Sequence, residues 1–337
     1  MGPLSHPLAT MKAGVRGRVH LIRGAAAAFV LLVGASLAQE PVFKADVKLV
    51  RVLATVRNPA GELVGSLSKE DFRVFDNGVE QEIAVFERQT VQPLSVMLLI
   101  DTSLSTAKDL RYETEAVSRF ARAVFAEGNP EDAVALISFS YEVRLLANFT
   151  RRLDRIEREM RTLKPASGTS LYDAIYLASR ELADREGRRV LIVVTDGGDT
   201  TSSRRYHDAL EAIQRADAVM YAILVMPITN EAGRNVGGEN ALAGLAAGSA
   251  GRVFRPESMG AAVDEAFRDI LRELRTQYLL AFYPKGAPPG PGGFHRLEVR
   301  LRNPDLRVNA RSGYYEGVSA GSAPGSGGWR SAPPKPR

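Results

Sequence analysis

The stretch SVMLLIDTSLST, residues 95–106, decides the fold. Five apolar residues, Val96 to Ile100, run without interruption into one carboxylate, Asp101, and then into the hydroxyls of Thr102, Ser103, Ser105 and Thr106. A strand that is apolar at both odd and even positions is covered on both faces. Such runs recur at DAVALISFS (132–140), RVLIVVTD (189–196) and AVMYAILVM (218–226). Helical spacing separates them. Leu110, Val117, Phe120, Ala121, Val124 and Phe125 fall three and four apart, on one face of a helix. Further helices are expected over about 151–163, 171–185, 204–216, 240–247 and 259–276. Strands buried on two sides and alternating with amphipathic helices define a Rossmann-like, doubly wound α/β fold with a mostly parallel sheet. EVRLLANF (142–149) follows its predecessor too closely for a helical crossover, so it is expected as one antiparallel edge strand.

Both flanks change rhythm. VKLVRVLATVRN (47–58), FRVFDNG (72–78) and QEIAVFERQ (81–89) are short alternating runs, as are QYLLAFYP (277–284), FHRLEVRLR (294–302) and LRVNARSGYY (306–315). Asp-Asn-Gly at 76–78 is a strong hairpin cue, because Asn and Gly tolerate positive φ. Each flank alone is too short to bury much surface. We therefore expect segments 39–90 and 277–316 to pack together as a small all-β unit beside an α/β domain at 91–276.

The ends are different again. Residues 1–38 hold Lys12, Arg16, Arg18 and Arg23 and no acid, and the uncharged run from Gly24 to Gln39 ends in small residues. This is the pattern of a secretory signal with cleavage after Ala38. Sixteen uncharged residues fall short of the roughly 20 that span a bilayer, so cleavage is favoured over a retained N-terminal anchor, and no other segment is long enough to cross a membrane. The product is expected to be exported, to the periplasm or the exterior of the cell envelope. The tail 317–337 is rich in Ser, Gly and Pro and is expected to be disordered.

The formal charge of +5 comes from these ends. Without residues 1–38 the chain holds 40 basic and 39 acidic residues, which leaves no basic footprint for nucleic acid. The 337 residues include no cysteine, which excludes disulfides, thiol catalysis and thiolate metal sites. Beyond the signal only His207 and His295 remain, without ligand-spaced partners, and each is read as an ordinary surface or core residue.

Asp101 ends the first strand of the α/β zone and Asp196 ends another. Open sheets of this kind bind ligands at the carboxyl ends of their strands, where strand order reverses. Between the two in sequence, the loop of KPASGTSLYDAI (164–175) presents Thr169 just before a helix. Singly, each residue has a plainer reading: Asp101, Ser103 and Ser105 suit the cap of a helix starting near Ser105, Thr169 the cap of the next, Asp196 a turn. Asp199 is read as a surface residue, and the Gly-rich 226–240 as a loop near the same rim. Jointly, Asp101, Ser103, Ser105, Thr169 and Asp196 are five hard oxygen donors suited to a divalent cation, most simply Mg²⁺, with Ca²⁺ or Mn²⁺ as alternatives.

At these positions the sequence resembles the metal-ion-dependent adhesion site of von Willebrand factor type A domains, whose pattern is Asp-x-Ser-x-Ser, then a Thr, then an Asp. All five positions match, in order, within residues 91–276. The resemblance implies that Ser103, Ser105 and Thr169 ligate the metal while Asp101 and Asp196 act through waters. The ion then keeps enough charge to accept an Asp or Glu carboxylate from a partner protein. The flanks resemble the bacterial VWFA-related (Acidobacterial) family, whose members are typically secreted. The expectation is a cation-dependent protein-binding or adhesion module rather than an enzyme. A scaffold whose metal only stabilises the fold is the alternative. Phosphoryl transfer is less favoured, because Ser103 stands where a second carboxylate would be needed, and there is no Walker loop or Gly-x-Ser-x-Gly elbow.

Overall fold

The computed structural model describes residues 49–88, 92–225, 235–257 and 260–316. The expected signal, the tail and the larger part of the 226–240 loop lie outside the described residues.

The central sheet has the order β10-β9-β8-β5-β6-β7. In chain order these strands are β5 (Leu94–Asp101), β6 (Ala133–Phe139), β7 (Val143–Thr150), β8 (Arg188–Thr195), β9 (Ala218–Leu224) and β10 (Val253–Phe254). All neighbours are parallel except β6 and β7, the expected antiparallel edge. The chain runs outward from β5 to β7 and then returns to β8 on the other side of β5. The switch point therefore lies between β5 and β8. The register pairs Ile100 with Val194, which sets Asp101 beside Thr195 and one residue short of Asp196.

Every residue of β5 is buried. Val96, Leu98 and Ile100 point into one core, formed with α1 (Leu110–Glu127), α2 (Leu153–Met160) and α6 (Ala261–Thr276). Met97 and Leu99 point into the other, formed with α3 (Leu171–Ala183), α4 (Tyr206–Arg215) and α5 (Val236–Gly248). Full burial of one such side chain contributes about 1.5–3 kcal/mol, and β5 supplies both layers at once.

Three details differ from the sequence reading. The first helix begins at Leu110, not near Ser105, because residues 104–109 form turns. Helix α5 begins at Val236, so 236–240 is helix rather than loop; the Asn235 side chain accepts a hydrogen bond from the Gly238 N–H at 2.9 Å and caps it. Strand β10 is two residues long, too short for periodicity to reveal.

The flanking segments fold together. β1 (Val50–Arg57) pairs with β11 (Tyr278–Phe282) and β13 (Arg307–Ala310), and β11 also pairs with β4 (Ile83–Arg88). β2 (Phe72–Asp76) pairs with β12 (Phe294–Leu301) and β3 (Val79–Gln81), and β12 with β14 (Gly313–Tyr315). The β2–β3 turn takes positive φ at Asn77 (46°) and Gly78 (82°), the geometry its sequence favours. Both four-stranded sheets contribute to one core that includes Val52, Val56, Phe72, Val74, Leu280, Phe282 and Leu297. Neither flank could close this core alone. The β unit is tied to the α/β zone by Glu273 of α6, which accepts hydrogen-bonded ion pairs from Arg57 and Arg252.

Candidate functional site

Three loops meet at the carboxyl ends of β5 and β8. The first carries Asp101, Ser103 and Ser105. Asp101 is fully buried: Oδ1 accepts from the Ser103 N–H at 2.8 Å, and Oδ2 accepts from the Thr195 hydroxyl at 2.6 Å. The Ser103 and Ser105 hydroxyls lie 2.9 Å apart. The Thr106 hydroxyl donates to the carbonyls of Asp101 and Ser103, which fixes the turn. The motif's small polar residues therefore hold the loop's shape rather than cap a helix.

The second loop, 164–170, docks on the first. Ser103 bridges to Ala166, and the Ala166 N–H donates to the Thr102 carbonyl at 2.9 Å. Gly168 has φ of 79°, a conformation open to glycine, and a Cβ there would crowd Thr201 and Tyr141. That turn delivers Thr169, whose carbonyl accepts the N–H groups of Thr200 and Thr201 and whose N–H donates to the Thr200 hydroxyl. The third loop starts at Asp196, whose Oδ1 accepts from the Gly198 N–H at 2.9 Å. Asp199 is not a free surface acid: it accepts from the Tyr172 N–H at the start of α3 and from the Ser202 hydroxyl of its own loop.

All five sequence-identified residues thus stand on adjoining loops at one end of the sheet. Hydrogen bonds join Asp101, Ser103 and Ser105 directly. Thr169 joins the group through the backbone of its loop. Asp196 faces Asp101 electrostatically. Burial pushes the Asp101 carboxyl up to about 6, against the pull of hydrogen bonds from Ser103 and Thr195, and the neighbouring Asp196 charge adds to the rise.

One residue here escaped the sequence reading. Glu113, in the first turns of α1, is fully buried, and neither carboxylate oxygen has a hydrogen-bond partner. Burial pushes its carboxyl up to about 9, and the charges of Asp101, Asp109 and Asp196 push the same way. The signal was available: Glu113 stands three residues after Leu110 and four before Val117, on the apolar stripe. Around the loops, Leu104 is 64% exposed and Tyr141 67%. Beside them lies a cavity of about 330 Å³ lined by Thr102, Ser140, Tyr141, Arg144, Lys164 and Ser167 among others.

Chemically, the arrangement collects acids that repel one another in a poorly solvated crevice, with hydroxyls beside them. A hard cation is the species that relieves that repulsion. Among the described residues no three His, Cys, Asp or Glu side chains are grouped to hold a metal by themselves.

A doubly wound sheet with oxygen donors at its switch point defines a Rossmann-like α/β domain. Residues 96–198 match the family model of the von Willebrand factor type A domain, so this part of the chain is such a domain. The structure is similar to an aerotolerance-related membrane protein from Bacteroides fragilis (21% identity, 54% of this chain and 98% of that one, TM-score 0.43). It is also similar to BatB from Bacteroides thetaiotaomicron (20%, 53% and 98%, 0.42). A third similar structure is the vWF domain of the type V pili tip protein Mfa5 from Porphyromonas gingivalis (15%, 55% and 97%, 0.44). No curated protein matches the sequence. Among the described residues no helix is long and apolar enough to cross a membrane.

Proposed function

We propose that the chain is an exported protein-binding module whose site holds a divalent cation, Mg²⁺ in the simplest case. Asp101, Ser103, Ser105, Thr169 and Asp196 would hold the ion. Bound there, the cation supplies a Lewis-acidic attachment point for an Asp or Glu carboxylate of a partner protein. The observation that carries this reading is the Ser103–Ser105 hydroxyl pair set against the buried Asp101 carboxylate. Neutral oxygens leave an ion more of its charge than carboxylates do, which favours an anionic ligand over a catalytic water. Exposed Leu104 and Tyr141 would give the partner an apolar rim to seat on. Export rests on the basic-then-apolar pattern of residues 1–38.

The test is calorimetric titration of Mg²⁺ into the mature chain, alongside Asp101→Ala. Wild type should bind and Asp101→Ala should not, with unchanged circular dichroism. Equal affinity in both proteins would overturn the reading. Pull-down from the source cell envelope with and without EDTA then separates an adhesive role from a scaffold whose metal only raises the melting temperature.

A further inference from the structure

We propose that Glu113 is an outer carboxylate of the cation site, holding the ion from the α1 side through water. The inference rests on the metal reading above and extends it by a residue outside the five-residue pattern.

Three observations carry it. First, Glu113 occupies a core position. It lies on the stripe of Leu110, Val117, Phe120 and Val124 that packs on the sheet, where an apolar side chain would be cheaper by the desolvation of a carboxylate. Second, both oxygens are buried without a partner, which native structures rarely tolerate in a carboxylate. Third, the nearby charges that act on it are those of Asp101, Asp109 and Asp196, all acidic. A buried acid next to basic residues would be an ordinary ion pair. A buried acid near the acids of a candidate cation site is compensated either by a proton or by a cation that enters among them, and only the cation leaves it a carboxylate.

The helix dipole does not explain the placement. An acid in the first turn of a helix gains from the dipole, but an exposed one gains the same without losing its water. Nor does Glu113 replace an inner ligand, because it does not converge with Asp101 and Asp196 closely enough to hold a metal by carboxylates alone. Its place is one layer out. Outer-layer groups of this kind change metal affinity about 10- to 100-fold when removed.

The experiment titrates Mn²⁺ into the full mature chain by calorimetry, comparing wild type, Glu113→Gln, Glu113→Leu and Asp101→Ala at one pH. Binding by wild type with a 10- to 100-fold weaker affinity in Glu113→Gln is the expected result. The cation-free melting temperature of that variant should be no lower than wild type. Glu113→Leu, which removes the polar group altogether, should lose affinity at least as much. A Glu113→Gln affinity within twofold of wild type, while Asp101→Ala abolishes binding, overturns the role of Glu113 and leaves the metal site standing. Absence of Mn²⁺ binding in wild type overturns both.

Discussion

Replacing Glu113 by Gln should stabilise the cation-free protein, and increasingly so as pH rises. In the folded chain the Glu113 carboxyl is raised from 4.5 to about 9. Between those values the unfolded chain has lost the proton and the folded chain retains it. Raising the pH therefore favours unfolding, opposite to a salt-bridged carboxylate. Each pH unit in that window removes about 1.4 kcal/mol. From pH 5.5 to 7.5 wild type should lose about 3 kcal/mol through this residue alone, or about 2 if the site relaxes to admit water. Gln is close in shape to protonated Glu and does not titrate, so the two proteins should be alike near pH 4 and differ by about 1.4 kcal/mol already at pH 5.5. Asp101 contributes equally to both and cancels. The assay is urea unfolding in EDTA at the two pH values, followed by far-ultraviolet circular dichroism, because the only tryptophan is Trp329 in the tail. A stability difference that stays constant within about 0.5 kcal/mol between the two pH values would refute the reasoning.

Other outcomes follow from the same geometry. Because the Asp101 carboxyl is raised to about 6, protons should compete with the cation, and Mg²⁺ affinity measured by calorimetry should fall at least about tenfold between pH 7.5 and pH 5, more where Glu113 also gives up a proton on binding. Glu273→Ala should cost about 3 kcal/mol in thermal or urea unfolding, because it strands the largely buried Arg57 at the junction of β1 and α6 and leaves Arg252 only its longer pair with Asp269. In the β unit, Asp76 accepts from the Tyr314 hydroxyl and pairs with His295 Nδ1, each at 2.8 Å and buried. Asp76→Ala should cost about 2–4 kcal/mol by leaving the Tyr314 hydroxyl and His295 Nδ1 without this acceptor, and a loss under about 0.5 kcal/mol would discount that network.

Much of this was legible along the chain because the physics is local. Two-sided apolar runs gave the parallel strands, and the short 140–142 connection gave the antiparallel edge. The 42–88 and 277–316 segments read as β from their alternation, but their pairing, Val52 opposite Leu280 and Val74 opposite Val299, joins residues more than 200 apart and left no local trace. Glu113 was visible as a charge on an apolar stripe, yet its surroundings depend on how α1 sits over β5 and β8. Helix α5 was expected to start at 240, because three glycines and an Asn read as loop until Asn235 is seen capping Gly238.

By itself the sequence determined the α/β zone, its strand ends and the five oxygen donors, since each depends on residue type and short spacing. Only the tertiary structure decided that β5 and β8 are neighbours, that the loops of Asp101, Thr169 and Asp196 interlock by hydrogen bonds, and that a further element, α1, buries Glu113 within reach of their charges. The reason is physical. A strand's period is written in neighbouring residues, but which strands lie side by side, and what a buried carboxylate faces, is settled by closing two cores at once.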